Sequence, residues 1–103
     1  PLTVVEPGYQ TRDFVHVSDV VYANILATQR DLEEYGQVFN IGTGEGTEIQ
    51  TIADIISDYQ TTIPQRQGEV MHSRAGIDKV KELLGWKPSV NVIKWVRSNY
   101  DWL

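Results

Sequence analysis

Val38-Phe39-Asn40-Ile41-Gly42-Thr43-Gly44-Glu45-Gly46-Thr47-Glu48-Ile49-Gln50 sets a short apolar run, a glycine turn and the opening of a helix side by side. The first four residues read as a buried strand. Thr47 followed three positions later by Gln50 has the form of a capping box, in which each side chain satisfies an orphaned backbone donor of the first helical turn. Ile49, Ile52, Ala53, Ile56 and Tyr59 then recur on one helical face, which predicts a helix that runs to about Tyr59 and packs by that face. The series invites comparison with a phosphate-binding loop, and it fails the comparison twice. Gly46 is followed by Thr47 and Glu48, so the lysine that a Walker loop needs is missing, and Thr47 stands where the third glycine of G-x-G-x-x-G would be. Glu45 and Glu48 would moreover repel a phosphate while stabilising the helix start. The expectation is a tight turn with a capped helix.

Upstream, Leu2-Thr3-Val4-Val5 is a short strand closed by Pro7-Gly8, and Asp13-Phe14-Val15-His16-Val17 is a second strand-like run. Ser18 is placed to cap a helix with Asp19 in its first turn, followed by Val20, Val21, Asn24, Ile25 and Thr28 at helical spacing. Downstream, residues 60–76 are polar, contain Pro64, Gly68 and Gly76, and predict a loop with at most a short strand. Residues 77–84 predict a short helix stopped by Gly85 in a left-handed conformation. Val92, Trp95, Val96, Asn99 and Leu103 mark a last helix capped by Asn91. The reading is α/β: one small mixed domain over residues 1–103, with short, parallel strands and about four helices.

The chain has 103 residues with a net charge of −5. Residues 1–63 hold ten carboxylates against two arginines, a charge of −8, whereas residues 64–103 hold four carboxylates against seven bases, a charge of +3. An acidic total disfavours non-specific nucleic-acid binding, but one or two placed arginines suffice for a small anion. The absence of cysteine excludes disulfides, a thiol nucleophile and a cysteine zinc site. His16 and His72 are too few for a protein-only metal site, so no metal is expected. No apolar run approaches the ~18 residues of a membrane span. Neither a basic nor an apolar leader region follows Pro1, so cytoplasm is the expected compartment. Trp86, Trp95 and Trp102 are expected to fill core.

Two segments carry the chemistry: Gly8-Tyr9-Gln10-Thr11-Arg12-Asp13-Phe14-Val15-His16-Val17-Ser18-Asp19 and Pro64-Gln65-Arg66-Gln67-Gly68-Glu69. Together with PLTVV at the start, VFNIGTGEGT in the middle and KELLGWKP near the end, they resemble the C-terminal, substrate-binding part of an NAD-dependent nucleotide-sugar epimerase/dehydratase. This is the extended short-chain dehydrogenase family that includes UDP-glucose 4-epimerase. The resemblance is collinear along the whole chain.

It implies the C-terminal subdomain of such an enzyme, without the Rossmann domain that carries NAD and the catalytic residues. None of the five tyrosines is followed four positions later by lysine, so the catalytic Tyr-x-x-x-Lys is missing. The chain alone is therefore expected to hold no catalytic residue, to bind no NAD and to transfer no hydride, NAD being implied for the full-length family. By resemblance Arg12 and Arg66 contact the diphosphate of a UDP- or dTDP-sugar, Glu69 accepts from the ribose hydroxyls, and Leu2, Thr3 and Val4 run beside the base. A guanidinium fork suits phosphate oxygens, and a carboxylate can accept from both hydroxyls of a cis-diol. The residues leave alternatives open: Arg12 bracing a turn against Asp13 or Asp19, and Arg66 and Glu69 forming a solvated loop ion pair.

A second reading is a non-catalytic interaction module that kept the fold, exposes an apolar face and forms a homodimer. A third is complementation by a separate Rossmann-domain partner. Two departures from the family pattern stand out. Gly76 replaces a capping aspartate, and the segment between Tyr59 and Pro64 is short, which predicts a lost strand.

Overall fold

The computed structural model describes residues 1–102. Leu103, expected at the end of the last helix, lies outside the described residues, as does the side chain of Trp102. In chain order the elements are β1 (Leu2–Val5), β2 (Thr11–Arg12), α1 (Val17–Gln29), β3 (Thr47–Glu48), α2 (Ile49–Ile56), β4 (Gln60–Ile63), α3 (Asp78–Leu84) and α4 (Val92–Asn99), closed by a 3₁₀ turn at Tyr100–Trp102. The mixed α/β reading with four helices holds. β1 and β4 pair in parallel with Leu2 opposite Gln60 and Val5 opposite Ile63, while β2 and β3 pair antiparallel with Arg12 opposite Thr47. β4 is thus present despite the shortened segment, and the expected loss of a strand is corrected. Its register with β1 is extended by Leu2 N–H donating to the Tyr59 carbonyl at 2.9 Å and Glu6 N–H to that of Ile63 at 2.8 Å.

Several local expectations shift for physical reasons. The capping box at Thr47 does not form: Thr47 lies in β3, and the N-cap residue of α2 is Glu48, which makes no side-chain cap. The first-turn donors are instead satisfied from a distance, with Ile49 N–H on the Gln10 carbonyl at 3.0 Å and Gln50 N–H on that of Gly8 at 2.8 Å. The helix ends at Ile56 and leaves Tyr59 exposed rather than in the core.

α1 starts one residue before Ser18, capped by His16, whose Nδ1 accepts the Ser18 N–H at 3.0 Å. Its buried face is Asp19, Ala23 and Leu26, so Val21 and Ile25 point outward. None of the run from Asp13 to Val17 is strand: β2 ends at Arg12 and Val17 already opens α1. Residues 38–41 alternate between exposed and half-buried like an edge strand. Among the described residues, however, no strand pairs with them, and the Val38 carbonyl accepts from Lys79 Nζ at 2.8 Å.

Two expected ends are where the local chemistry puts them. Gly85 closes α3 with φ of 67° and its N–H on the Lys81 carbonyl at 3.0 Å, and Asn91 Oδ1 accepts from Lys94 N–H at 3.1 Å to open α4.

The main core joins Ala23 and Leu26 of α1 to Ile77, Val80, Leu84 and Trp86, with Phe39, Ile41 and Ala75 against it. Trp86 is fully buried and donates its indole N–H to the Asp19 carbonyl at 2.9 Å. Trp95 is only partly covered, its ring 5.6 Å from that of His16. A smaller apolar layer, with Val4, Ala53 and Val96 buried, lies where α2 meets β1 and α4. The whole is a slab of 50 × 32 × 16 Å with a radius of gyration of 16.4 Å, well above the ~13 Å of a compact domain this size. Among the described residues no helix is long and apolar enough to cross a membrane.

Candidate functional site

β2 is the element on which the site is built. Beyond its ladder with β3, Thr11 N–H donates to the Met71 carbonyl at 2.7 Å, Ser73 N–H donates to the Thr11 carbonyl at 3.2 Å, and the Thr11 hydroxyl meets His72 Nδ1 at 3.0 Å. The segment that follows β4 is thereby drawn back alongside Arg12. Its turn is tightened by Gly68 at φ of 78° and by Glu69 N–H on the Arg66 carbonyl at 3.2 Å.

The result is a three-membered cluster. Arg12 places one guanidinium nitrogen 3.1 Å from Glu69 Oε1 and another 2.7 Å from the Thr11 carbonyl. Arg66 Nε lies 3.6 Å from Glu69 Oε2. Each carboxylate oxygen of Glu69 therefore faces a different arginine. The Glu69 side chain is 12% exposed, Arg12 32% and Arg66 72%, so the carboxylate is the sheltered member and Arg66 the open one. Arg12 pairs with neither Asp13 nor Asp19; its partner lies 57 residues away. Leu2, Thr3 and Val4 sit in β1, with Val4 buried, and among the described residues no hydrogen bond or ion pair joins them to the cluster.

Asp13 is the residue that sequence reasoning undervalued. Its Oδ1 accepts from the Thr43 hydroxyl at 2.6 Å and from Thr43 N–H at 2.8 Å; its Oδ2 accepts from Gly44 N–H at 2.9 Å and Ala75 N–H at 3.0 Å. Burial pushes the Asp13 carboxyl up, but the hydrogen bonds from Thr43, Ala75 and Gly44 outweigh it and hold the group below the usual aspartate value. The glycine turn does cradle an anion, and that anion is the chain's own Asp13. Gly42 is required there, because a Cβ would stand 2.7 Å from Asp13 Oδ2 and from the Ala75 methyl. The Thr43 and Gly44 amides of the turn are thereby committed to Asp13 rather than open to a phosphate. The one available signal was the adjacency of Asp13 to Arg12 in the motif that family resemblance singles out.

An open depression of about 520 Å3 lies beside the cluster, lined by Arg12, Asn40, Ser73 and Arg74 among others. Of the three cluster residues only Arg12 lines it; Arg74 is a second cation on its wall that the sequence reading did not single out. Asp19 performs a separate structural task. Burial pushes its carboxyl up, yet the Ser89 hydroxyl at 2.7 Å and the Ser89 and Val90 amides at 3.1 Å pull it below the usual value, with a smaller contribution from His16. Among the described residues no group of three or more His, Cys, Asp or Glu side chains could hold a metal.

Comparison with known proteins fits this geometry. Residues 1–42 match the NAD dependent epimerase/dehydratase family. A putative UDP-glucose 4-epimerase of Methanocaldococcus jannaschii is 35% identical over 102 residues, which cover 93% of this chain and 32% of the relative. The UDP-glucose 4-epimerase of Thermotoga maritima, solved with UDP-glucose, superposes with a TM-score of 0.78 at 34% identity, over 98% of this chain and 34% of that one. The UDP-glucuronic acid 4-epimerase of Bacillus cereus, solved with UDP-glucuronic acid and NAD, gives 0.85 at 29% identity, over 99% of this chain and 34% of that one. The chain spans about one-third of the length of these relatives. In sequence and in fold the chain is similar to UDP-glucose 4-epimerases of the NAD dependent epimerase/dehydratase family over about one-third of their length, a coverage that fits the C-terminal part of an extended short-chain dehydrogenase.

Proposed function

We propose that the chain is the nucleotide-sugar-binding part of an NAD-dependent epimerase or dehydratase. In this reading it grips the diphosphate of a UDP- or dTDP-sugar through Arg12 and Arg66 and the ribose through Glu69, and it is not catalytic alone. The observation that supports this is the convergence of two guanidinium groups on one sheltered carboxylate from segments 57 residues apart in sequence. A diphosphate offers several oxygens to two planar forks, and a vicinal diol offers two O–H donors to the carboxylate. Each charge-assisted hydrogen bond supplies roughly 1.5 to 3 kcal/mol at best, and the exposure of Arg66 reduces its share. Affinity for UDP is then in the ~10 μM to mM range. Titration calorimetry tests it: heat is expected with UDP and at least a tenfold loss with Arg12→Ala, whereas no heat at millimolar UDP, or binding by Arg12→Ala and Arg66→Ala as tight as the parent's, defeats the reading. A separately supplied NAD-binding half would be needed for turnover, which mixing the two chains with NAD and substrate would reveal.

A second reading is favoured by one observation. Val17, Val21 and Ile25 recur every four residues along α1 and are 69%, 50% and 46% exposed, with Tyr22 beside them. On a slab 16 Å thick, this stripe is a surface for self-association rather than for core.

A further inference from the structure

We infer that the outward face of α1 pairs two copies of this chain antiparallel about a two-fold axis near Val21, with the acidic end of each copy over the basic end of the other. This deepens the self-association reading and rests on it for the identity of the partner. α1 has one charged side chain, Asp19, and that one is buried, so the exposed side of a 13-residue helix carries no charge. Ala23 and Leu26 fill its inner side while Val17, Val21 and Ile25 occupy the outer one. A helix that is apolar on both sides calls for cover on both. The outer row, spaced by four, forms a ridge of the kind that packs between the rows of a second helix, and it spans about 12 Å from Val17 to Ile25.

The two ends of this row differ. At its start, Val17 stands on the rim of an apolar groove of about 390 Å3 that Phe14, Ile56 and Trp95 also line, and the Trp95 ring is 5.6 Å from that of His16. The chain beside this end is basic. Residues 85–100 contain Lys87, Lys94 and Arg97, all exposed, and no carboxylate. α4 brings Lys94 and Arg97 with Trp95, and the bond from the Trp86 indole to the Asp19 carbonyl brings Lys87. Past the other end of the row lies a depression of about 400 Å3 lined by Asp31, Glu33, Glu34 and Glu82. A two-fold axis presents the same patch to itself. Parallel helices would set carboxylates against carboxylates and bases against bases. Antiparallel helices set Ile25 of one copy over Val17 and the groove of the other, with opposite charges facing each other at both ends. The patch is small for an interface, which makes the dimer a weak one.

The chain has no cysteine, so an introduced one reports alone. Val21→Cys is expected to give a disulfide-linked dimer under oxidised glutathione, because the axis brings both copies of that position together. Tyr59→Cys, exposed but outside α1, is expected to give none. Charge reversal read by sedimentation velocity tests the orientation. E33K/E34K and K94E/R97E, all at exposed positions, are each expected to weaken dimerisation about tenfold, and an equimolar mixture of the two is expected to restore it, since each reversed patch then faces its reversed counterpart. Circular dichroism establishes that every variant is folded. A parent dimer without the Val21→Cys cross-link overturns the inference, as does a mixture of reversed variants that associates no better than either alone; self-association then stands with another geometry. A parent chain that stays monomeric at high concentration overturns both and leaves this face to a different occupant, such as an NAD-binding half.

Discussion

Asp13 holds Thr43 twice, through the hydroxyl at 2.6 Å and the backbone amide at 2.8 Å, and so ties the residue after Arg12 to the glycine turn thirty positions on. Its second oxygen, on Gly44 and Ala75, adds the segment that follows Glu69 to the same knot. Three stretches that are remote in sequence are fixed by one carboxylate, and Arg12 is aimed as a consequence.

Replacement of Asp13 by alanine should therefore cost both stability and ligand geometry. Four donors lose a charged acceptor in a half-buried place, which is worth about 3 kcal/mol in total once water reaches some of them. For a domain of this size the melting temperature falls by at least ~10 °C. Thermal denaturation reads this directly; a change of only one or two degrees would show that the knot is not structural.

The same bonds predict acid sensitivity. The carboxyl groups of Asp13 and Asp19 are held below the aspartate value of about 3.9 that the unfolded chain would show. The folded state then binds fewer protons than the unfolded one in that range. The stabilisation is fully present above the unfolded value and is lost as pH falls through the depressed folded values. Urea unfolding between pH 6 and pH 2 should give a stability that declines below about pH 4. Asp13→Asn should flatten that decline, and a variant with the parent's full slope would assign the acid sensitivity to other groups.

Gly42 and Gly76 make a controlled pair. A methyl group at Gly42 would stand 2.7 Å from Asp13 Oδ2 and from Ala75 Cβ, whereas one at Gly76 meets no atom within 4 Å, and neither glycine has positive φ. Gly42→Ala should destabilise by about 2 kcal/mol through overpacking, and Gly76→Ala should stay within about 0.5 kcal/mol of the parent. Equal denaturation midpoints for the two variants would contradict this account of the turn.

How far the fold was legible depended on where each hydrogen bond finds its partner. Gly85 and Asn91 end and begin helices through bonds to Lys81 and Lys94, three or four residues away, and such signals can be read from sequence. Thr47 and Gln50 carried an equally good local signal. It was overridden because the carbonyls of Gly8 and Gln10 reached the same donors first, from 39 or more residues upstream. The buried face of α1 is hidden from sequence for a related reason: its most buried residue is Asp19, a charged side chain that periodicity counts as solvent-facing until Ser89 and Val90 are known to be there. The grouping of Arg12, Arg66 and Glu69 was legible only by family resemblance. No local pattern links positions 57 residues apart, and the knot at Asp13 escaped notice because its partners are 30 and 62 residues away.

The outward face of α1 yields the last prediction. Val17, Val21 and Ile25 lie on one stripe with Tyr22 at its side, and burying such a stripe against a copy of itself would remove enough apolar surface to favour a dimer. Each of these side chains is about half or more exposed, so replacing Val21 and Ile25 with glutamate creates no buried charge and should leave the fold intact. Sedimentation velocity on the parent chain should show a concentration-dependent shift from monomer to dimer, and V21E/I25E should remain monomeric at the same concentrations. The double variant should still bind UDP as the parent does, because Arg12, Arg66 and Glu69 lie outside α1. A parent chain that stays monomeric at high concentration would remove the self-association reading and leave ligand binding as the function to be tested.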